Sequence, residues 1–523
     1  GQSHPDSQLI FGVHYEPSGV DPHINAAELG LQMTIGIFDT LVYKTPEGRY
    51  LPGLAERWEI SRDETVYTFH LRQDVIFHDG TRFDAAATRF SFDRARDPAN
   101  KSQLAGSMLG PYEGSQVVDD YILQVHLAEP YALFLDALSQ GWLPPVSPQA
   151  VERYGSDFGL HLVGTGPYRF ERWDRGDRIV LRRNPDYAWP PPLVRNPGPP
   201  HVEEVVFRFL PDDAERTAAL ETGEIDGVFY VPPGDVAHLR ADPRFDVEVW
   251  PIRGAPVCLM MNTAQEPTSD FAVRQAIAHA VDQQALVADV FQGEFPPAHG
   301  PLSQHTFGYE PAVEDMGLLD RDEARQLLDA AGWVHVEGSG IRERDGEKLQ
   351  LVYYGIPFNF YSRFGEILRH QLATIGVEVE VRIVSPGDWM AAANAGEHHL
   401  IPQGKFINDP HILSYIYHSR YSEEGYGWTK RSPDHRPELD QLLERGERAL
   451  VREQFIPIYQ EAQKIIMEEA LIAPLHCNTN IVALRQGVRG LSFDSIGAHP
   501  YLHDVRREGV EEALTTTATA KPR

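Results

Sequence analysis

Two short apolar strands constrain this chain more than any other feature. They are Val257-Cys258-Leu259-Met260-Met261-Asn262 and Ile472-Ala473-Pro474-Leu475-His476, and long helices rich in Ala and Leu dominate the stretch 270–470 between them. The chain changes character at the first strand and again at the second, which makes both candidate crossings between domains. Elsewhere short strand-like runs alternate with helical patterns, the signature of an α/β architecture. Tyr67 to Leu71 alternates as a strand and the run from Phe77 to Thr81 turns; a helix follows over about 85–94 with Asp84 as its N-cap. A strand over 202–210 leads to a helix opened by Pro211-Asp212-Asp213 and stopped at Gly223. Asp270 caps a helix whose Val273, Ile277 and Val281 share one face. Ile367, Leu368, Leu372 and Ile375 mark another amphipathic helix, ended by Gly376 and followed by a strand over 377–384. Six prolines between 190 and 200 force an extended surface connection.

Composition narrows the function. At 523 residues, a prior of about 150 per domain allows three or four lobes. With 42% hydrophobic and 24% charged residues the chain is globular. A net charge of −29 repels phosphate backbones, so nucleic acid is excluded as a partner. No apolar run reaches the ~18 residues of a membrane span. Cys258 and Cys477 stand far apart, which excludes a cysteine-type zinc site. No signal peptide is visible in Gly1-Gln2-Ser3-His4-Pro5, which fits either a cytosolic protein or a chain whose leader has been removed. The tail from Thr515 to Arg523 reads as a frayed polar end.

Five motifs then occur in series. They are Leu54-Ala55-Glu56-Arg57-Trp58 with Tyr67 to Arg72 and Val75 to Gly80; Gly164-Thr165-Gly166-Pro167-Tyr168 with Arg183-Asn184-Pro185-Asp186-Tyr187; Asn262-Thr263 with Val273 to Ile277 and Ala280-Val281-Asp282; Ala324-Arg325 with Ala331-Gly332-Trp333; and Asp409-Pro410-His411. In order and spacing, over about 8–505, the chain resembles the extracellular solute-binding proteins of peptide and nickel ABC importers. The residues agree with a scaffold role. His78-Asp79-Gly80 suits a tight turn and has no nucleophile nearby, and the Gly164 loop lacks the Lys and Ser/Thr of a phosphate loop.

The resemblance implies a two-lobed α/β fold of the type II periplasmic-binding-protein kind, with an enlarged first lobe and a ligand cleft between lobes. The expected boundaries are 1–256 for the first lobe, with an extra subdomain over about 45–165, then 257–477 for the second, and 478–523 returning to the first. It implies a monomeric, non-enzymatic receptor that needs no cofactor. Its partners are a small solute and the permease subunits. Its place is periplasmic or extracellular, reaching the membrane only through the transporter or a removed lipid anchor. That place favours a chain whose leader has been removed. If the two apolar strands pair as the family's connectivity implies, Cys258 and Cys477 approach the same junction, either bridged or as buried thiols.

Where relatives carry an aspartate that binds a peptide's ammonium, this sequence has Phe406. Beside it Lys405 offers a cation for a carboxylate, against the plainer reading of a solvated lysine. The nickel-binding relative's early tyrosine falls on Asn25, its cleft arginine on Trp142 or Leu143, and its histidine near Tyr421-Ser422. His418 lies close by, on the wrong helical face. Trp142, after a helix-like run over 131–138, and Trp389, just before a helix over 391–395, take family cleft positions. For these two, Tyr354 and Phe406, burial in the core stands beside the ligand reading. Asn25, Gln403 and Asn408 could supply neutral hydrogen bonds. The 22 histidines form no ligand spacing such as HExxH, so no metal-ligating residue is assigned; on the surface they would offset the negative charge below about pH 6.5. Nor is any catalytic residue assigned. The rival from another class is a cleft hydrolase using two carboxylates such as Glu16 and Asp409.

Overall fold

The computed structural model describes residues 7–508 apart from 337, 359 and 424. The chain divides into two compact units, one holding the described residues up to Trp250 and from Asn480 onward, the other Pro251–Thr479. The sequence places these divisions at 256/257 and 477/478.

The first unit is built on a seven-stranded sheet. Its order is Phe245–Pro251, Thr479–Arg485, Gly227–Val228, Gln8–Val13, Glu204–Phe209, Arg178–Arg183 and Tyr168–Asp174. Gln8–Val13 runs parallel to both of its neighbours, and its nearly unbroken apolar run is what a strand covered on both faces requires. A second, four-stranded antiparallel sheet orders Ala55–Ile60, Val66–Leu71, Ile122–Leu127 and Tyr112–Asp119. In Val66–Leu71 and Ile122–Leu127 every second residue is buried, so one face packs inward with the helix Ala85–Arg96 around Phe69, Phe92 and Val125. Asp84 caps that helix by accepting the Ala87 N–H at 2.9 Å. Gly164 and Gly166 meet the backbone of Gly36, Ile37 and Phe38 so closely that a Cβ on either would stand within 2.3–2.6 Å of it. Their lack of side chains makes this contact possible.

The second unit carries a five-stranded sheet ordered Glu378–Ile383, Gln350–Gly355, Leu400–Lys405, Ala255–Met261 and Ile472–His476. The two apolar strands lie side by side in it, antiparallel, with Val257 opposite His476 and Cys258 opposite Pro474. Both cysteines are buried free thiols. Burial pushes both thiols up, Cys477 to about 11. Asp212 and Asp270 cap the helices Asp213–Thr222 and Phe271–Ala280. One helix differs from expectation: Trp389 lies inside Pro386–Ala395, because Ser385 accepts the Asp388 N–H and starts the helix earlier than the alanine run suggests. Among the described residues, no helix is long and apolar enough to cross a membrane.

Several histidines lie away from the surface. His23, His398, His476 and His503 are buried and His78 is half-buried, and loss of hydration lowers His476 to about 3 and the other four to about 4. His499 behaves oppositely. Burial alone would lower it, but the Glu28 and Asp494 carboxylates, at 2.7 and 2.6 Å, outweigh that and raise it to about 10. The signs fix a stability profile. Lowered histidines contribute stability that is present above about pH 6.5 and is lost as pH falls towards 4. Raised His499 contributes stability that is complete below about pH 6.5 and is lost as pH rises through about 10. Melting temperature against pH should therefore peak near neutrality, and His499→Gln should flatten the alkaline limb while leaving the acid limb in place. An unchanged alkaline limb in that variant would refute the assignment.

Candidate functional site

In the first unit, Asn25 and Trp142 line one small indentation of about 170 Å³ with Gly19, Asp21, Leu31 and Thr34. A site for a drug-sized ligand occupies roughly 300–1,000 Å³, so this indentation alone does not hold one. The Asn25 side-chain oxygen accepts the Asp21 N–H at 3.0 Å. Asp21 in turn takes both ends of the buried Arg94 guanidinium, at 2.9 and 2.5 Å. Trp142 is 4% exposed and belongs to the core around Phe69 and Phe134.

The other six candidates belong to the second unit. Strand Gln350–Gly355 presents Tyr354, whose hydroxyl receives Arg382 at 3.0 Å and reaches Glu397 at 3.4 Å. The Trp389 indole N–H donates to the Tyr354 carbonyl at 3.3 Å. From Trp389 an aromatic row continues: Trp428 edge-on at 4.7 Å, then Tyr426 at 5.9 Å from Trp428. The Tyr426 hydroxyl receives the Lys405 ammonium at 2.9 Å, and the ammonium also sits 4.5 Å from the ring centre. The structure thus brings Tyr354, Trp389 and Lys405 onto one continuous row. Trp389 is core, at 7% exposure.

Gln403 and Lys405 are two apart on the strand Leu400–Lys405 and so point to the same face. Gln403 is buried and Lys405 half-buried. Phe406, beyond the strand end, is 37% exposed. Asn408 is fully buried, beside the Asp409–His411 pair at 2.6 Å. The carboxylates of the hydrolase reading are engaged within their own units: Glu16 accepts Trp173 and the Gly176 N–H at 2.9 and 3.1 Å, and Asp409 holds His411. Among the described residues no three His, Cys, Asp or Glu side chains gather as a metal site.

Sequence reasoning missed Tyr426 and Trp428. Their signal was the aromatic pair in Tyr426-Gly427-Trp428, inside a loop without periodicity. It also missed Gly254, which has φ +124° and whose added Cβ would stand 2.4 Å from the Lys405 carbonyl oxygen and 2.5 Å from the Ile407 nitrogen. In the first unit it missed the cluster of His14, Tyr15 and Tyr230, the last at φ 57°.

Comparison with known proteins gives the class, a solute-binding protein. The chain belongs to the bacterial extracellular solute-binding proteins, family 5, whose middle-region profile matches residues 49–427. It is 26% identical over 521 residues to the dipeptide-binding protein of Escherichia coli strain K12, covering 94% of this chain and 93% of that protein. It is 33% identical over 337 residues to the glutathione-binding protein GsiB of Salmonella paratyphi A, covering 64% of this chain and 61% of that one. In fold it resembles the crystal structure of NikA from Brucella suis in complex with Fe(III)-EDTA, with TM-score 0.84 and 24% identity over 96% of this chain and 100% of that chain.

Gly254 supplies a test of the local geometry. A side chain there meets backbone atoms that cannot rotate away, in a conformation that L-residues avoid. Gly254→Ala should cost roughly 2–4 kcal/mol in denaturant unfolding. A loss below about 0.5 kcal/mol would show that the segment 405–407 adapts freely.

Proposed function

We infer that this protein is the solute-binding receptor of an ABC importer, capturing a short peptide or a similar small organic solute and delivering it to the membrane permease. The observation that carries this reading is family membership over residues 49–427, joined to similarity along 94% of the chain with a dipeptide-binding protein. The two compact units act as the two lobes, and the protein works as a monomer outside the cytoplasmic membrane. Its ligand leaves chemically unchanged. Capture needs only differential affinity between conformations, which asks for positioned donors and aromatic surface and for no acid–base pair.

A metal chelate is the second reading, favoured by the fold likeness to NikA. In such a complex the chelator supplies the metal ligands, so the scarcity of clustered protein ligands does not count against it. The peptide reading stands first because the proteins similar in sequence are named for a dipeptide and for glutathione, itself a tripeptide.

Mass spectrometry of solute co-purified with the native protein should identify a peptide. Adding that solute should raise the melting temperature by mass action, and it should be recovered intact. Turnover of the solute would instead revive the hydrolase. With Phe406 in place of the ammonium-binding aspartate, N-acetylation should change peptide affinity less than about fivefold. Loss of a buried charged contact would cost about 2–5 kcal/mol, so a drop of that size would place an acid at the peptide's amine.

A further inference from the structure

The cations of this protein are mostly compensated where they are buried. Lys44 pairs with Asp136 at 2.6 Å, Arg94 with Asp21 at 2.5 Å, and Arg431 with Asp440. Lys405 departs from that pattern. The residue is half-buried, and among the described residues the polar partner of its ammonium is the neutral Tyr426 hydroxyl, with the ring beneath it. Withdrawing an ammonium from water without a counter-charge is costly, and in a chain of net charge −29 a carboxylate could readily have been placed there. On the same strand face, two residues back, Gln403 is only 6% exposed. Among the described residues its side-chain amide makes no hydrogen bond and is not one of the polar groups sealed from solvent, so it is free to meet a ligand. Phe406 adds exposed apolar surface at the end of the strand.

We propose that Gln403, Lys405 and Tyr426 form an anion subsite that takes a carboxylate group of the transported solute. The Lys405 ammonium supplies the charge, the Gln403 amide a neutral donor, and Tyr426 holds the ammonium in place as a positioning residue. The ligand is thereby recognised through its acid end, in contrast to the ammonium recognition implied for relatives that carry an aspartate where Phe406 stands. This rests on the solute-receptor reading above and deepens it by naming the charge the solute must carry.

The full chain is offered four pools: di- and tripeptides as free acids, the same peptides as C-terminal amides, small non-peptide carboxylic acids, and their primary amides. Binding is read by calorimetry and by retention on the protein. Free-acid peptides should bind roughly ten- to a hundredfold more tightly than their amides, the range of a hydrogen bond to a charged group. Lys405→Gln should erase that ratio by weakening the acids alone. Tyr426→Phe should reduce it severalfold. Equal affinity of acids and amides in the wild type would overturn the anion subsite and leave the peptide reading intact. Retention of non-peptide acids but of no peptide would overturn the peptide reading and support the subsite. Retention of no pool would overturn both. A Lys405→Gln variant with wild-type unfolding but an undiminished acid preference would likewise overturn the subsite.

Discussion

One buried carboxylate organises the first unit. Asp39 is 2% exposed and among the described residues pairs with no cation; it accepts hydrogen bonds from Tyr43, Thr165, Tyr187 and Trp189 at 3.1, 2.9, 2.8 and 3.0 Å. Burial raises its pKa, and the four donors pull against that rise. A charge-assisted hydrogen bond is worth about 1.5–3 kcal/mol, so four of them can offset a desolvation cost of several kcal/mol. The offset holds only while all four donors stay in place. They come from distant stretches: the loop after Gly164, the strand Val42–Lys44 and the segment entering the proline-rich connection. Tyr187 also meets His503 at 3.2 Å, which ties in the returning C-terminal stretch.

This explains what the sequence motifs encode. In Gly164-Thr165-Gly166-Pro167-Tyr168, the glycines permit close approach to residues 36–38 and the threonine reaches Asp39. In Asn184-Pro185-Asp186-Tyr187, Asn184 donates to the Gly166 carbonyl at 3.2 Å and Tyr187 reaches Asp39. His78 joins from the first motif, bonding Gly166 at 2.9 Å. These motifs converge on one scaffold knot, and among the described residues its hydrogen bonds go to none of the candidate ligand residues. Part of what made family and fold legible is therefore a set of residues that satisfy or frame a buried charge; the other three motifs lie in the second unit.

Local signals were legible for a related reason. Asp84, Asp212 and Asp270 each satisfy a helix N-terminus within three residues, so sequence alone locates them. The site on the second unit is different in kind. Tyr426 and Trp428 gain meaning only through Lys405 and Trp389, which lie far away in sequence. No periodicity reports such a pairing. The same holds for the histidines: their number and spacing say nothing of burial, whereas burial of His23, His398 and His476 moves them below the physiological range.

The position of Lys405 depends on an irregularity that the sequence marks but does not explain. Opposite the strand Leu400–Lys405, Cys258 pairs with Gln403 and Ala255 with Lys405, so three steps on one strand face two on the other. Pro256 lies within this bulge, where its missing N–H interrupts no regular ladder. Pro474 sits at the matching register shift on the other edge of the same strand, between the Val257–His476 and Cys258–Pro474 pairs. Without the extra residue, the pairing beyond the bulge would slip by one and turn its side chains to the opposite face. The bulge then delivers the chain to Gly254, whose bare α-carbon lies against the backbone of 405–407. Two prolines, a glycine and one extra residue thus bring an uncompensated ammonium and an exposed phenyl ring to the end of a strand that is otherwise sealed in the core.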